Sequence, residues 1–171
     1  MGESIYFKDN FFSAGTTEIF NENHEQIGLL DLKSAFSSGV DVKDKEGLIV
    51  MKGSFPFLFR GWVVRNQHEE EIGQLKQKLA FFSKKFIYDS YQGEYEIRSE
   101  AFSKDYDILD KSGNLAATFK KVSEFFQSPA YELNNHSSEL SNEELIAVVM
   151  GVNMFMKRNN SAGASGGSAG G

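Results

Sequence analysis

The sequence predicts a mainly β domain: a closed or nearly closed antiparallel barrel wrapped around one buried hydrophobic helix near its C-terminus. Three observations carry this expectation. Short β-type runs recur between turn signals, three of the hairpins they form look like copies of one another, and one late segment is apolar on every side.

The candidate strands are Ser4–Lys8, Thr17–Asn21, Gln26–Leu32, Gly47–Lys52, Phe57–Arg65, Glu71–Lys76, Phe81–Asp89, Gly93–Ser99, Tyr106–Asp110, Leu115–Val122 and Phe125–Leu133. Regular short strands separated by polar turns point to a sandwich or a barrel. The chain has 16 Phe and 2 Pro. Phe suits a pleated, half-buried surface, and few prolines leave strand ladders intact. In Glu94-Tyr95-Glu96-Ile97-Arg98 the alternation is explicit. Tyr95 and Ile97 share one face, and the three charges share the other.

The three similar hairpins span Glu18 to Gly28, Trp62 to Gly73, and Tyr106 to Ala116. Each runs from apolar β formers through a polar turn to an aliphatic residue followed by a small one. The aliphatics Ile27, Ile72 and Leu115 lie 45 and 43 residues apart, the mark of a sheet built by repetition. Trp62 sits inside one of these strands and is expected in the core.

Of the twelve residues Leu145–Met156, ten are apolar, and Gly151 and Asn153 interrupt them. Ser141-Asn-Glu-Glu144 in front reads as a capping box, in which the Ser141 hydroxyl accepts from the Glu144 amide and the Glu144 carboxylate reaches back. Lys157 and Arg158 suit the C-terminal end of the helix dipole. A helix without a polar face must be buried in protein or in membrane. Its apolar stretch is well short of the ~20 residues that span a bilayer, so burial in protein is expected, with Val149 and Val152 fully enclosed. Closing the sheet around it also removes exposed edges.

The chain of 171 residues fits one domain, residues 1–158, followed by a Gly/Ser/Ala-rich tail, residues 159–171, expected to be flexible coil. Cys is absent, which excludes disulfides, thiolate metal sites and a Cys nucleophile. The first ten residues show no secretory signal, and a cytoplasmic location is expected. Net charge is −6. That argues against nucleic acid as a partner and disfavours anionic lipid, since both require a positive surface. Between Gly61 and Lys121, however, ten basic and ten acidic residues balance, which leaves room for a local basic face.

No constellation points to catalysis, a metal or a cofactor. His24 and His68 fall in expected turns and His136 in a polar loop. Asp105, Asp107 and Asp110 miss the calcium-loop pattern, because Leu109 and Ala116 stand where oxygen ligands are needed. Glu69-Glu70-Glu71 reads as a solvated turn. There is no nucleophile elbow, phosphate loop or dinucleotide fingerprint.

The segment from Phe81 to Met156 resembles the tubby C-terminal-like superfamily, in particular its LURP-one-related members. The residues carrying the likeness are Phe86-Ile-Tyr-Asp89, Tyr95-Glu-Ile-Arg98, Phe102 to Gly113, Leu115-Ala-Ala-Thr-Phe-Lys-Lys121, Ala130-Tyr-Glu-Leu133 and the terminal apolar helix. The resemblance implies a barrel of about twelve strands around a central helix. It implies little about activity. Tubby proteins bind phosphoinositides and related scramblases act at membranes, but no position here matches those lipid contacts. The functional expectation is therefore a non-enzymatic binding or scaffold domain, with a partner protein as its ligand. The alternatives are a membrane-surface lipid-associated protein and an enzyme with an unrecognised pocket. A lipid-headgroup site, if present, draws on Lys84 or Lys85 and Lys120 or Lys121, which requires neighbouring strands to bring them together.

Overall fold

A computed structural model describes residues 2–33, 39–58, 60–78, 84–99 and 103–164, without the side chains of Lys84 and of residues 162–164. Twelve strands form a closed antiparallel barrel: β1 (Glu3–Lys8), β2 (Gly15–Phe20), β3 (Gln26–Leu32), β4 (Gly39–Asp44), β5 (Ile49–Ser54), β6 (Trp62–Asn66), β7 (Glu71–Lys78), β8 (Lys84–Ser90), β9 (Gly93–Ser99), β10 (Tyr106–Asp110), β11 (Leu115–Val122) and β12 (Ala130–Asn135). Each strand pairs with its sequence neighbours, and β1 closes the ring against β12, with Glu3 opposite Asn135 and Lys8 opposite Ala130. The fold class expected from the sequence is the one observed.

Several boundaries differ. The strand β4 was not expected: Gly39-Val-Asp-Val-Lys-Asp offers only Val40 and Val42 to the interior, and its charges read as a turn. The expected strand Phe57–Arg65 begins only at Trp62, because Phe57 and Leu58 lie in the β5–β6 connection. Likewise Phe125 and Phe126 precede β12 in a loop. Residues Phe81 to Ser83 and Phe102 lie outside the described residues.

Four hairpins share one turn. Asn21, Asp44, Asn66 and Asp110 each donate a backbone N–H to the carbonyl four residues on, at 2.9–3.0 Å. Each also accepts backbone N–H bonds on its side-chain Oδ1. The residue three places on turns left-handed: His24, Gly47, Glu69 and Gly113, at φ 61–85°. This is a type I turn followed by a bulge residue. The repeat is thus one hairpin of about 22 residues; the 45-residue spacing seen in the sequence skips every second copy.

The helix α1 (Asn142–Ala164) enters at the end of the barrel that carries these turns and leaves at the other. It runs past Arg158, where the sequence reading placed the start of a flexible tail. Extending a helix already held by a buried segment costs little, and Ser161 Oγ donates back to the Lys157 carbonyl at 3.0 Å. Residues 165–171 lie outside the described residues. Val149 and Val152 are fully buried, as expected.

A twelve-strand wall encloses more space than one helix about 10–12 Å across can fill. The helix leans on β4 to β7. Opposite it, Phe7, Phe11, Phe119, Tyr131 and Tyr106 form a ring-on-ring block with Phe119 at its centre, 5.0–6.3 Å from its four partners. Phe11 comes from the β1–β2 connection and folds inward. Trp62 bridges helix and wall, its indole N–H donating to the Ala147 carbonyl at 3.0 Å.

Candidate functional site

The helix entrance holds the one buried carboxylate among the described residues, that of Glu144. Glu144 stands in the first helical turn, and its amide donates to Ser141 Oγ at 3.1 Å, as the capping pattern requires. Its carboxylate turns instead to the wall, accepting from Tyr88 Oη at 2.6 Å and Ser90 Oγ at 3.2 Å. Beside it, Tyr95 Oη donates to Glu139 at 2.8 Å. Burial pushes the Glu144 carboxyl above its usual range, opposed by those two bonds. Burial also pushes the Tyr88 phenol upward, with the Glu144 charge adding to it. Tyr95, desolvated and bonded to Glu139, is pushed up to about 12. The pattern fastens the helix to β8 and holds a proton between acid and phenol.

A shallow concavity of about 590 Å³ lies on the outer flank, lined by Tyr6, Lys121, Glu124, Phe125, Pro129 and Glu132. The β11–β12 loop folds back over the wall here. Phe125 stacks between Tyr6 at 3.7 Å and His24 at 4.1 Å, and Tyr6 Oη donates to Glu132 at 3.0 Å. The loop thereby covers outward-facing aromatics that would otherwise meet water.

The lysines considered for a headgroup site are not brought together. Lys84 and Lys85 lie on β8 and Lys120 and Lys121 on β11, with β9 and β10 between them. Three strand spacings amount to about 14 Å. Lys85 pairs with Glu96 at 3.4 Å and Lys121 with Asp9 at 3.2 Å; the Lys84 side chain lies outside the described residues. The condition of neighbouring strands therefore fails, because the barrel follows sequence order and these segments are three strands apart. His24, His68 and His136 are exposed, the first two in turns. Asp110 caps its hairpin, and Asp105 accepts the Lys121 amide at 3.0 Å. Among the described residues no cluster suits a metal ion, and no helix is long and apolar enough to cross a membrane.

Sequence reasoning missed a feature of the two barrel ends. In an up-and-down barrel alternate connections share an end. The tight turns at the helix entrance carry Glu22, Glu25, Asp44, Glu46, Glu69, Glu70 and Asp110, with Lys45 and Lys111 among them. The open end, where α1 leaves, carries Arg60, Lys78, Lys104, Lys157 and Arg158. Of these, Lys157 donates to the Phe12 carbonyl at 3.1 Å, and Arg158 lies 3.5 Å over the Phe55 ring. None of the five makes an ion pair among the described residues. The acids nearby are engaged: Asp9 by Lys121, Asp105 by a backbone amide. From this end project Phe57, 100% exposed, and Leu58, 92% exposed. The alternation of acidic and basic connections was present in the sequence, but it acquires meaning only once strand order places every second connection together. Compared with family models and with curated proteins, the sequence gives no match.

Proposed function

We propose that the chain is a non-enzymatic binding module of tubby-like, LURP-one-related type that works through its outer surface. A twelve-strand barrel around a C-terminal helix is what the resemblance implies, and it supports the assignment. The observation that carries the functional reading is the pair Phe57 and Leu58. Two large apolar side chains standing wholly in water on one loop mark an interaction surface. Chemistry, by contrast, would draw on converging titratable groups in a concavity. The buried acid here, Glu144, spends its bonds on anchoring α1.

Photocrosslinking tests the reading. A benzophenone amino acid replacing Phe57 is expected to give a discrete adduct in the cells that make the protein. The same group replacing Tyr91, exposed at the opposite end, is expected to give none. Equal labelling from both positions, or none from either, would sink the proposal.

A further inference from the structure

We infer that the concavity on the outer flank receives an arginine presented by an extended segment of a partner protein. It lies on β11, β12 and β1, across the ring from the β5–β6 connection that carries Phe57 and Leu58. The inference goes beyond the binding-module reading and does not depend on that tip.

Strand register builds the site. Lys120 on β11, Glu132 on β12, Tyr6 on β1 and Phe20 on β2 stand side by side in the ladder. Their neighbours Phe119, Leu133, Phe7 and Ile19 are buried, so this row faces outward. The β11–β12 loop lays two rings over it. Phe125 lies within 4° of parallel to Tyr6, and His24 closes the pile from the other side at 18°. Phe126 meets Phe20 edge-on at 4.9 Å. Gln127 turns the loop left-handed at φ 56°, a conformation that residues other than glycine rarely take. The aromatic contacts on either side hold it there, and the surface is thereby fixed in shape. The concavity of about 590 Å³ falls within the range of ~300–1,000 Å³ usual for ligand sites.

The unpaired charge here is negative. Lys121, which lines the concavity, is taken by Asp9 at 3.2 Å. Glu124 and Glu132 make no ion pair among the described residues, although Lys120 stands opposite Glu132 in register. Tyr6 Oη takes Oε1 of Glu132 and leaves Oε2 to accept from a ligand. The Tyr6 phenol is pushed above its ordinary value by burial, by its bond to Glu132 and by the charges of Glu132 and Glu22, with Ser4 opposing. The ring thus sits in a negative potential.

Parallel rings beside unpaired carboxylates select a planar cation that can fork its hydrogen bonds. A guanidinium does both, because it stacks on aromatic faces and donates in pairs to a carboxylate. A lysine ammonium is a compact, strongly hydrated charge and does neither. The site is shallow, so a small free cation would stay largely in water. Affinity has to come from chain on either side of the arginine, lying along Pro129 and Phe125.

Two-dimensional NMR of the isotope-labelled full chain tests this, with the blocked peptide acetyl-Gly-Ala-Arg-Ala-Gly-amide as probe. Shifts are expected at Tyr6, Glu132 and residues 121–129, saturating in the millimolar range. The lysine counterpart should bind about fivefold more weakly, and the neutral citrulline counterpart should not bind. Free arginine amide should bind more weakly than the peptide. Glu132→Gln and Glu124→Gln should each weaken binding about threefold to fivefold. Glu46→Gln, at the turn end, should change nothing, and neither should Phe57→Ser with Leu58→Ser. The spectrum itself reports whether each variant is folded. Absent shifts, shifts spread over the acidic turns, equal binding of the citrulline peptide, or a Glu132→Gln protein that binds as well as the parent overturns the inference. So does free arginine amide binding as tightly as the peptide, or loss of binding in the Phe57 and Leu58 variant. Each of those failures leaves crosslinking from Phe57 as it was, and the binding-module reading falls only by that separate test.

Discussion

Replacing Gly151 by Ala sets two physical effects against each other. Gly151 is the small residue in the apolar helix, and a Gly in a helix interior costs about 1 kcal/mol relative to Ala. On propensity alone the substitution stabilises. The packing gives the opposite sign. A Cβ at Gly151 would lie 2.5 Å from Trp62 Cδ1 and 2.7 Å from Nε1. Ordinary carbon contacts need about 3.5–4.0 Å, so the indole must retreat by roughly 1 Å. Its way back is closed, because a Cβ on Gly53 would come within 2.5 Å of Trp62 Cζ2, which puts the ring already against that strand. Retreat also breaks the 3.0 Å bond from Nε1 to the Ala147 carbonyl. Overpacking costs about 1–3 kcal/mol and the lost buried bond about 1–3 kcal/mol. After subtracting the helix gain of about 1 kcal/mol, Gly151→Ala should destabilise by about 3 kcal/mol. That is a lowering of Tm of roughly 6–12 °C for a chain of this length. Urea unfolding followed by circular dichroism measures it. In a Trp62→Phe background, where the clashing ring is gone, the same change should cost much less. A Gly151→Ala protein as stable as the parent, or a cost unchanged in the Phe background, refutes the wedge.

Glu144 has a carboxyl raised by burial, so its share of stability is complete below the unfolded value of 4.5 and is lost as pH rises through the folded one. Glu144→Gln should therefore show a less negative slope of unfolding free energy from pH 4.5 to 7 than the parent, by urea titration at each pH; parallel profiles would exclude this group as the cause. Gly113 sits at φ 83° with nothing within 4 Å of a built Cβ. Gly113→Ala should cost about 1–2 kcal/mol from backbone conformation alone, and an unchanged urea midpoint would contradict that.

Much of the barrel was legible because pleated strands announce themselves by alternation; the Asx residue that opens four of the turns was a second signal left unused. Tyr95 and Ile97 point inward and Glu94 and Arg98 outward, as their order dictates. The helix was legible because nothing polar interrupts it except two residues, and Gly151 now has a reason: it is where Trp62 lands. What failed was judgement by side-chain type alone. Phe57 and Leu58 favour strands intrinsically, yet the chain must turn between β5 and β6, and topology overrides propensity. Val40 and Val42 supply a full inward face with two residues, too few to stand out among their aspartates. The lysine pairs failed for a related reason. Sequence distance between β8 and β11 becomes spatial distance in a barrel that never reorders its strands.

The ring closes between its first strand and its last, and its filling comes later still. During synthesis, β1 leaves the ribosome long before β12, its partner, exists, and the aromatic lining of the wall has no helix to receive it until α1 emerges. Such long-range closure makes for slow folding. The wall thus waits for its keystone, and α1, although part of the same chain, plays toward β1 to β12 the role that an obligatory ligand plays toward an empty receptor.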